Sequence, residues 1–133
     1  MSLTRLAAPL ACGCALAGAA LYVALADPAT GSGFLPCPLY QTTGVYCPGC
    51  GLTRATRALL RGDVPGALGY NLLLPLVVAA VVIGWLSWVR MAAGRTPIRV
   101  LTSMPSWAAI AIGVVVVAFG VLRNLPGFST LAP

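Results

Sequence analysis

The sequence predicts an all-α integral membrane protein: three transmembrane helices, a short interfacial helix and an irregular cysteine loop. Three observations carry this. The 133 residues are 59% apolar and 8% charged, against roughly 25% charged in a soluble domain, and mean hydropathy is +0.95. Charge-poor runs recur over 6–26, 67–89 and 106–122, each near the length that crosses a ~30 Å hydrocarbon core at about 1.5 Å per helical residue. Cysteine, glycine, proline and arginine gather in one stretch between the first two runs. At this length a single membrane domain over 1–133 is expected.

The first run, Leu6 to Ala26, is too long for the apolar centre of a signal peptide. Cys12 and Cys14 stand too early in it for a lipoprotein anchor and are expected to pack as small apolar groups. Gly13, Ala15, Ala17, Gly18, Ala19 and Ala20 would let a second helix approach closely. Asp27-Pro28 ends the run, and 27–50 reads as an irregular surface loop. Leu52 to Arg61 reads as a short helix with Arg54, Arg57 and Arg61 at i, i+3 and i+7, hence on one face. Gly62 is its expected stop. Asp63 should cap the next helix, with Pro65 in its first turn. Within the second run Asn71 and Pro75 interrupt the apolar pattern, and Pro75 is expected to kink the helix. Trp85 and Trp88 suit an interfacial belt. Arg90 to Ser106 is a connector, and the last ten residues form a tail.

The net charge is +6, from eight arginines, no lysine and two aspartates. The arginines flank apolar runs, which points to anionic headgroups rather than nucleic acid. Arg5, Arg90, Arg95 and Arg99 fall on one side of a three-span chain, and Arg54, Arg57, Arg61 and Arg123 on the other. Arg5 beside the first helix turns this tie toward a cytoplasmic N-terminus and an external cysteine loop. The expected location is the inner (plasma) membrane, multi-pass. With no histidine, every site that needs imidazole is excluded. Asp27 and Asp63 alone make paired-carboxylate chemistry a poor fit.

Cys37, Cys47 and Cys50 form the candidate site. Cys47-Pro48-Gly49-Cys50-Gly51 can turn two thiolates toward one ion, and Cys37 would add a third. Zinc is the metal such donors would take, with Asp27, Asp63, water or another subunit completing the set. The same cysteines could be a dithiol ahead of a helix, with Arg54 nearby favouring the thiolate and Cys37 as exchange partner. A third reading is a plain disulfide clasp. No cofactor is otherwise implied. For Arg54, Arg57 and Arg61 the expectation is contact with anionic lipid or a partner protein; the partners are the bilayer and a membrane protein or a second copy.

The run Cys37-Pro38, Thr43-Gly44-x-x-Cys47-Pro48-Gly49-Cys50-Gly51-x-Thr53-Arg54-Ala55, Leu60-x-Gly62-Asp63, Ala67 and Asn71 resembles the domain-of-unknown-function 2752 family of small bacterial membrane proteins. Leu72 departs from the proline that many members carry after the asparagine. The resemblance implies membrane location and a shared cysteine–arginine motif, and carries no activity. Together these features favour a non-enzymatic membrane module whose Cys-x-x-Cys loop is a disulfide or metal clasp. The alternative is a membrane thiol–disulfide oxidoreductase working through Cys47, Cys50 and Cys37.

Overall fold

The computed structural model describes residues 3–26, 37–128 and 131, all without a strand. Asp27, Pro28 and the loop through residue 36 lie outside the described residues, as does most of the last five positions. Among the described residues seven helices follow in order: α1 (Leu3–Leu25), α2 (Pro38–Thr43), α3 (Leu52–Leu60), α4 (Val64–Tyr70), α5 (Leu74–Ala92), α6 (Arg99–Thr102) and α7 (Ser106–Leu122).

Two helices, α1 and α5, are long and apolar enough to cross a membrane. Both leave leucines and valines exposed along their length, among them Leu10, Leu21, Val81 and Leu86. A helix that is apolar all round does not read as the half-buried helix of a soluble domain. The expected third span is present as α7, but its 17 residues fall short of the ~20 that a full crossing takes. Among the described residues the count is therefore two candidate membrane helices, not three.

Helices α1 and α5 meet through Gly13. A Cβ at that position would lie 2.8 Å from Cζ2 of Trp85, so only glycine lets the indole lie this close. Trp85 Nε1 donates to the Pro9 carbonyl at 2.9 Å. Trp85 is thus a helix–helix contact, while Trp88 stays exposed. The small-residue face of α1 does its expected work at Gly13, whereas Gly18 has open space around it. Cys12 is half-buried and Cys14 exposed, so the expected packing of this pair fails for Cys14, which faces away from the protein.

The second run is not one kinked helix. Asn71 takes an extended conformation that closes α4, and its Oδ1 accepts from the Leu73 amide at 2.8 Å. The chain then restarts as α5 with Pro75 in its first turn, where a missing N–H costs nothing. The break therefore belongs to Asn71, and Pro75 starts a helix instead of bending one. Upstream, Asp63 caps α4 as expected, accepting from the Gly66 amide at 2.9 Å, and Gly62 ends α3 at φ 83°.

Ala55, Ala67 and Leu74 form the buried core where α3, α4 and α5 meet, flanked by Leu52, Ala58 and Leu59. The small side chains at positions 55 and 67 let short helices pack closely. At the opposite end of α5 the connector folds back, with the Ile98 amide donating to buried Ser87 Oγ at 3.1 Å.

Candidate thiolate metal centre

The cysteine segment is more ordered than an irregular loop. Pro38 opens α2, Cys37 stands at its N-cap, and Gly44 closes it at φ 71°. Residues 47–50 then form a tight turn, with the Cys50 amide donating to the Cys47 carbonyl at 3.0 Å. Gly51, at φ 81°, turns the chain into α3, a left-handed conformation that glycine adopts without steric cost.

These turns bring the three predicted cysteines together. Cys37 Sγ lies 3.4 Å from Cys47 Sγ, Cys47 Sγ lies 3.3 Å from Cys50 Sγ, and all three sulfurs lie within 4.8 Å of one another. None is bonded in a disulfide, whose sulfurs would stand about 2.05 Å apart. Cys50 is buried, while Cys37 and Cys47 are half-buried.

Their acidities split. The Cys37 thiol is lowered from 9.0 to about 7, first by the Tyr40 amide and then by the Cys50 and Cys47 side chains, against a smaller effect of burial. No cap hydrogen bond is fully formed at this sulfur, so the α2 amides act on it as dipoles. Burial pushes the Cys50 thiol up to about 12, helped by its sulfur neighbours. The Cys37 thiol is thus the more acidic of these two.

The carbonyls of the turn are held from outside. Asn71 Nδ2 donates to Pro48 O at 2.9 Å and to Cys50 O at 3.0 Å. Arg123 Nη1 donates to Cys47 O and Cys50 O, each at 3.0 Å, and more weakly to Pro48 O at 3.4 Å. Asn71 is 1% exposed and Arg123 2%. The guanidinium lies 5.0 Å from the Phe119 ring centroid and 5.8 Å from that of Tyr46, within cation–π range. Tyr46 stacks on Tyr40 with centroids 4.5 Å apart and donates its hydroxyl to Tyr40 at 3.3 Å; that bond, then burial, raises the Tyr46 pKa. Asn124 closes the assembly: its Oδ1 accepts from the Tyr46 amide and its Nδ2 donates to the Tyr46 carbonyl, both at 2.8 Å. Pro48 rests on Gly120, where a Cβ would meet the proline ring at 2.8 Å.

The donor set fits a soft divalent ion. Tetrahedral zinc with Zn–S near 2.3 Å separates its sulfurs by about 3.8 Å, so the two contacts of Cys47, at 3.4 and 3.3 Å, would each lengthen by about 0.4–0.5 Å. Three thiolates around a divalent cation carry one net negative charge. Arg123 is a buried cation beside this turn, and its Nε and Nη2 have no hydrogen-bond partner among the described residues. Buried charge is tolerated when an opposite charge lies near. Asp63, one candidate fourth ligand, is exposed and committed to the α4 cap; Asp27, the other, lies outside the described residues.

Arg54, Arg57 and Arg61 do not join the site. Arg54 and Arg61 are exposed and Arg57 is half-buried, so the three do not share one free face equally. Arg61 reaches back to the Ala24 carbonyl at 3.4 Å, tying α3 to the end of α1. Sequence reasoning missed Arg123 as a site residue, because an arginine closing an apolar run reads as a topology charge. It read Asn71 as a cap and packing residue, which covers only its Oδ1 contact.

No curated protein and no solved structure matches the chain. The segment from Cys37 through Trp85, which holds the three thiols, the arginine helix and Asn71, matches the family model described as "Protein of unknown function (DUF2752)" over residues 37–85, the family its cysteine–arginine motif resembles.

Proposed function

We propose that this chain is a non-enzymatic membrane module in which Cys37, Cys47 and Cys50 form a three-thiolate metal clasp, with zinc as its ion. The observation that carries the reading is the convergence of three sulfurs, not two, within 4.8 Å. Any single disulfide among them would leave one thiol over. A metal uses all three and keeps one coordination position for water or a donor from a partner. The clasp fastens α2 and the start of α3 to the turn on which α7 is seated.

The membrane reading has three spans. Helix α5 starts at Asn71, on the cysteine turn. Helix α7 ends at Arg123, on the same turn. The chain leaves this turn along α5 and returns to it along α7, which supports reading the 17-residue α7 as a short third crossing beside the two longer candidates. Arg54 and Arg61 then lie at the surface on the cysteine side, toward anionic headgroups. The N-terminus is cytoplasmic and the membrane is the inner one.

Zinc content and thiol state decide the clasp. The full chain purified in detergent should carry one zinc per chain, released by a thiol reagent and lost in a Cys47→Ser variant. Cobalt substitution should give thiolate-to-metal charge-transfer absorption. Protein that holds no metal under reducing conditions and does not take up cobalt would refute the clasp.

A second reading has one specific observation in its favour. Cys47 Sγ lies 3.3–3.4 Å from both other sulfurs, so it can pair with either. Oxidation of Cys37 and Cys47 to a disulfide would pass two electrons and two protons to a quinone or a partner's disulfide. Retention of one free thiol and one reducible disulfide in metal-free protein would support it.

A further inference from the structure

The gripped carbonyl face of the cysteine turn carries an inference about two residues outside the cysteine set. We propose that Asn71 and Arg123 are positioning residues: they hold the Cys47–Cys50 turn in ligand geometry before any ion arrives. The inference builds on the metal reading, but its first readout needs no metal.

The turn is four residues long, and three of its carbonyls, those of Cys47, Pro48 and Cys50, are taken by side chains from elsewhere. A peptide plane is rigid, so fixing a carbonyl direction also fixes the neighbouring Cα geometry and the Cα–Cβ vectors from which the sulfurs hang, leaving only the χ1 rotation of each cysteine. Asn71 is itself held, because its Oδ1 is used on the Leu73 amide while both Nδ2 hydrogens serve the turn. Arg123 stands at the C-terminus of α7, where the helix dipole favours a cation. Its bonds are charge-assisted and buried, which makes them stronger than neutral ones. The donors come from two separate helix ends, at sequence separations of 21 and 73 residues from Cys50. The turn is therefore set by tertiary structure rather than by its own hydrogen bond alone.

The simpler alternative is that Arg123 merely anchors α7. Asn124 separates the two, because it ties the end of α7 to Tyr46 without touching the carbonyls of 47–50. The test uses the full chain in detergent, reduced and stripped of metal, with Asn71→Ser, Arg123→Met, Arg123→Lys and Asn124→Ala. Hydrogen exchange at the Cys50 and Leu52 amides, which bond within this segment, should accelerate about tenfold or more in Asn71→Ser and Arg123→Met, as loss of a charge-assisted or buried bond predicts. Arg123→Lys should be intermediate, and Asn124→Ala should match the wild type. Zinc affinity by chelator competition should fall about 10–100-fold in the same order, with cobalt charge-transfer intensity at saturation unchanged. Wild-type exchange in both Asn71→Ser and Arg123→Met would overturn the proposal, as would equal acceleration in Asn124→Ala. Should Arg123→Met fail to fold, wild-type exchange in Arg123→Lys and Asn71→Ser overturns it instead. A wild type that takes no zinc, while exchange shifts as expected, refutes the metal reading and leaves the positioning role standing.

Discussion

Adding one methyl group at Gly120 should loosen the cysteine turn, and adding the same group at Gly113 should not. Both glycines lie on α7. A Cβ at Gly113 meets nothing within 4 Å, whereas one at Gly120 meets the Pro48 ring at 2.8 and 3.3 Å. Each substitution should gain about 0.8–1.0 kcal/mol of helix propensity, so that contribution cancels in the comparison. What remains at Gly120 is overpacking, typically 1–3 kcal/mol. The proline ring is fixed to the backbone of the turn and cannot swing aside. To reach ordinary contact, either α7 or the turn must retreat by about 1 Å, which stretches the 3.0 Å bonds from Arg123 to Cys47 O and Cys50 O beyond hydrogen-bond range. Gly120→Ala should thus melt below Gly113→Ala by an amount equivalent to about 1–3 kcal/mol, and its Cys50 should become open to maleimide in metal-free protein. Thermal melts by circular dichroism and labelling followed by mass spectrometry measure the two effects. Equal melting of the two variants, with Cys50 equally protected, would refute the packing of α7 on the cysteine turn.

Three further outcomes are expected. In reduced, metal-free protein, alkylation of Cys37 should rise as pH passes about 7, because its lowered pKa leaves it thiolate above that pH and thiol below it, while Cys50, pushed up to about 12, should stay unreactive through pH 9; equal rates at the two thiols in a pH series would contradict the split. Asp63→Ala removes the side-chain cap on the Gly66 amide and should cost about 0.5–2 kcal/mol in a melt, whereas Asp63→Asn should recover most of it. Reporters inserted at Gln41, Arg95 and after Phe128 should read one side, the other, and the first again; agreement between Arg95 and Phe128 would remove α7 as a span.

The arginine helix shows how a correct local reading can mislead about a face. The i, i+3, i+7 spacing does place a helix at Leu52–Leu60, as expected. Yet Arg57 is half-buried while Arg54 and Arg61 are exposed, because α1 and α4 both pack on this short helix and cover its flank. Replacing Arg54 and Arg61 with glutamine therefore tests headgroup contact, worth about 1 kcal/mol per arginine near an anionic surface, while leaving half-buried Arg57 in place; among the described residues only the Arg61 bond to the Ala24 carbonyl is lost with it. Unchanged retention of the double variant on anionic vesicles would mark this face as passive.

Most of the helices were legible in the sequence because their causes are local. Hydropathy and length mark α1, α5 and α7; Gly62 and Asp63 mark the α3–α4 boundary through backbone conformation and a cap three residues long in reach. The cysteine triad was legible as a set, since a Cys-x-x-Cys turn constrains its own thiols and Cys37 lies only ten residues from Cys47. Local signals also explain the errors. Pro75 carries the same sequence signal whether it kinks a helix or starts one, and only the extended Asn71 beside it decides between them. Trp85 carries no local sign of its contact with Gly13 and the Pro9 carbonyl, which are brought against it from 72 and 76 residues away. Tertiary structure alone decided that the cysteine turn would be held by Asn71 and Arg123, and that Asn124 would tie the end of α7 to Tyr46 beside it. Those bonds join positions 21 to 78 residues apart, and no periodicity or turn rule acts over such a distance. An arginine at the end of an apolar helix suits the membrane surface and a buried carbonyl cradle equally well, and the cysteine turn and the Phe119 and Tyr46 rings gathered around Arg123 are what select the second.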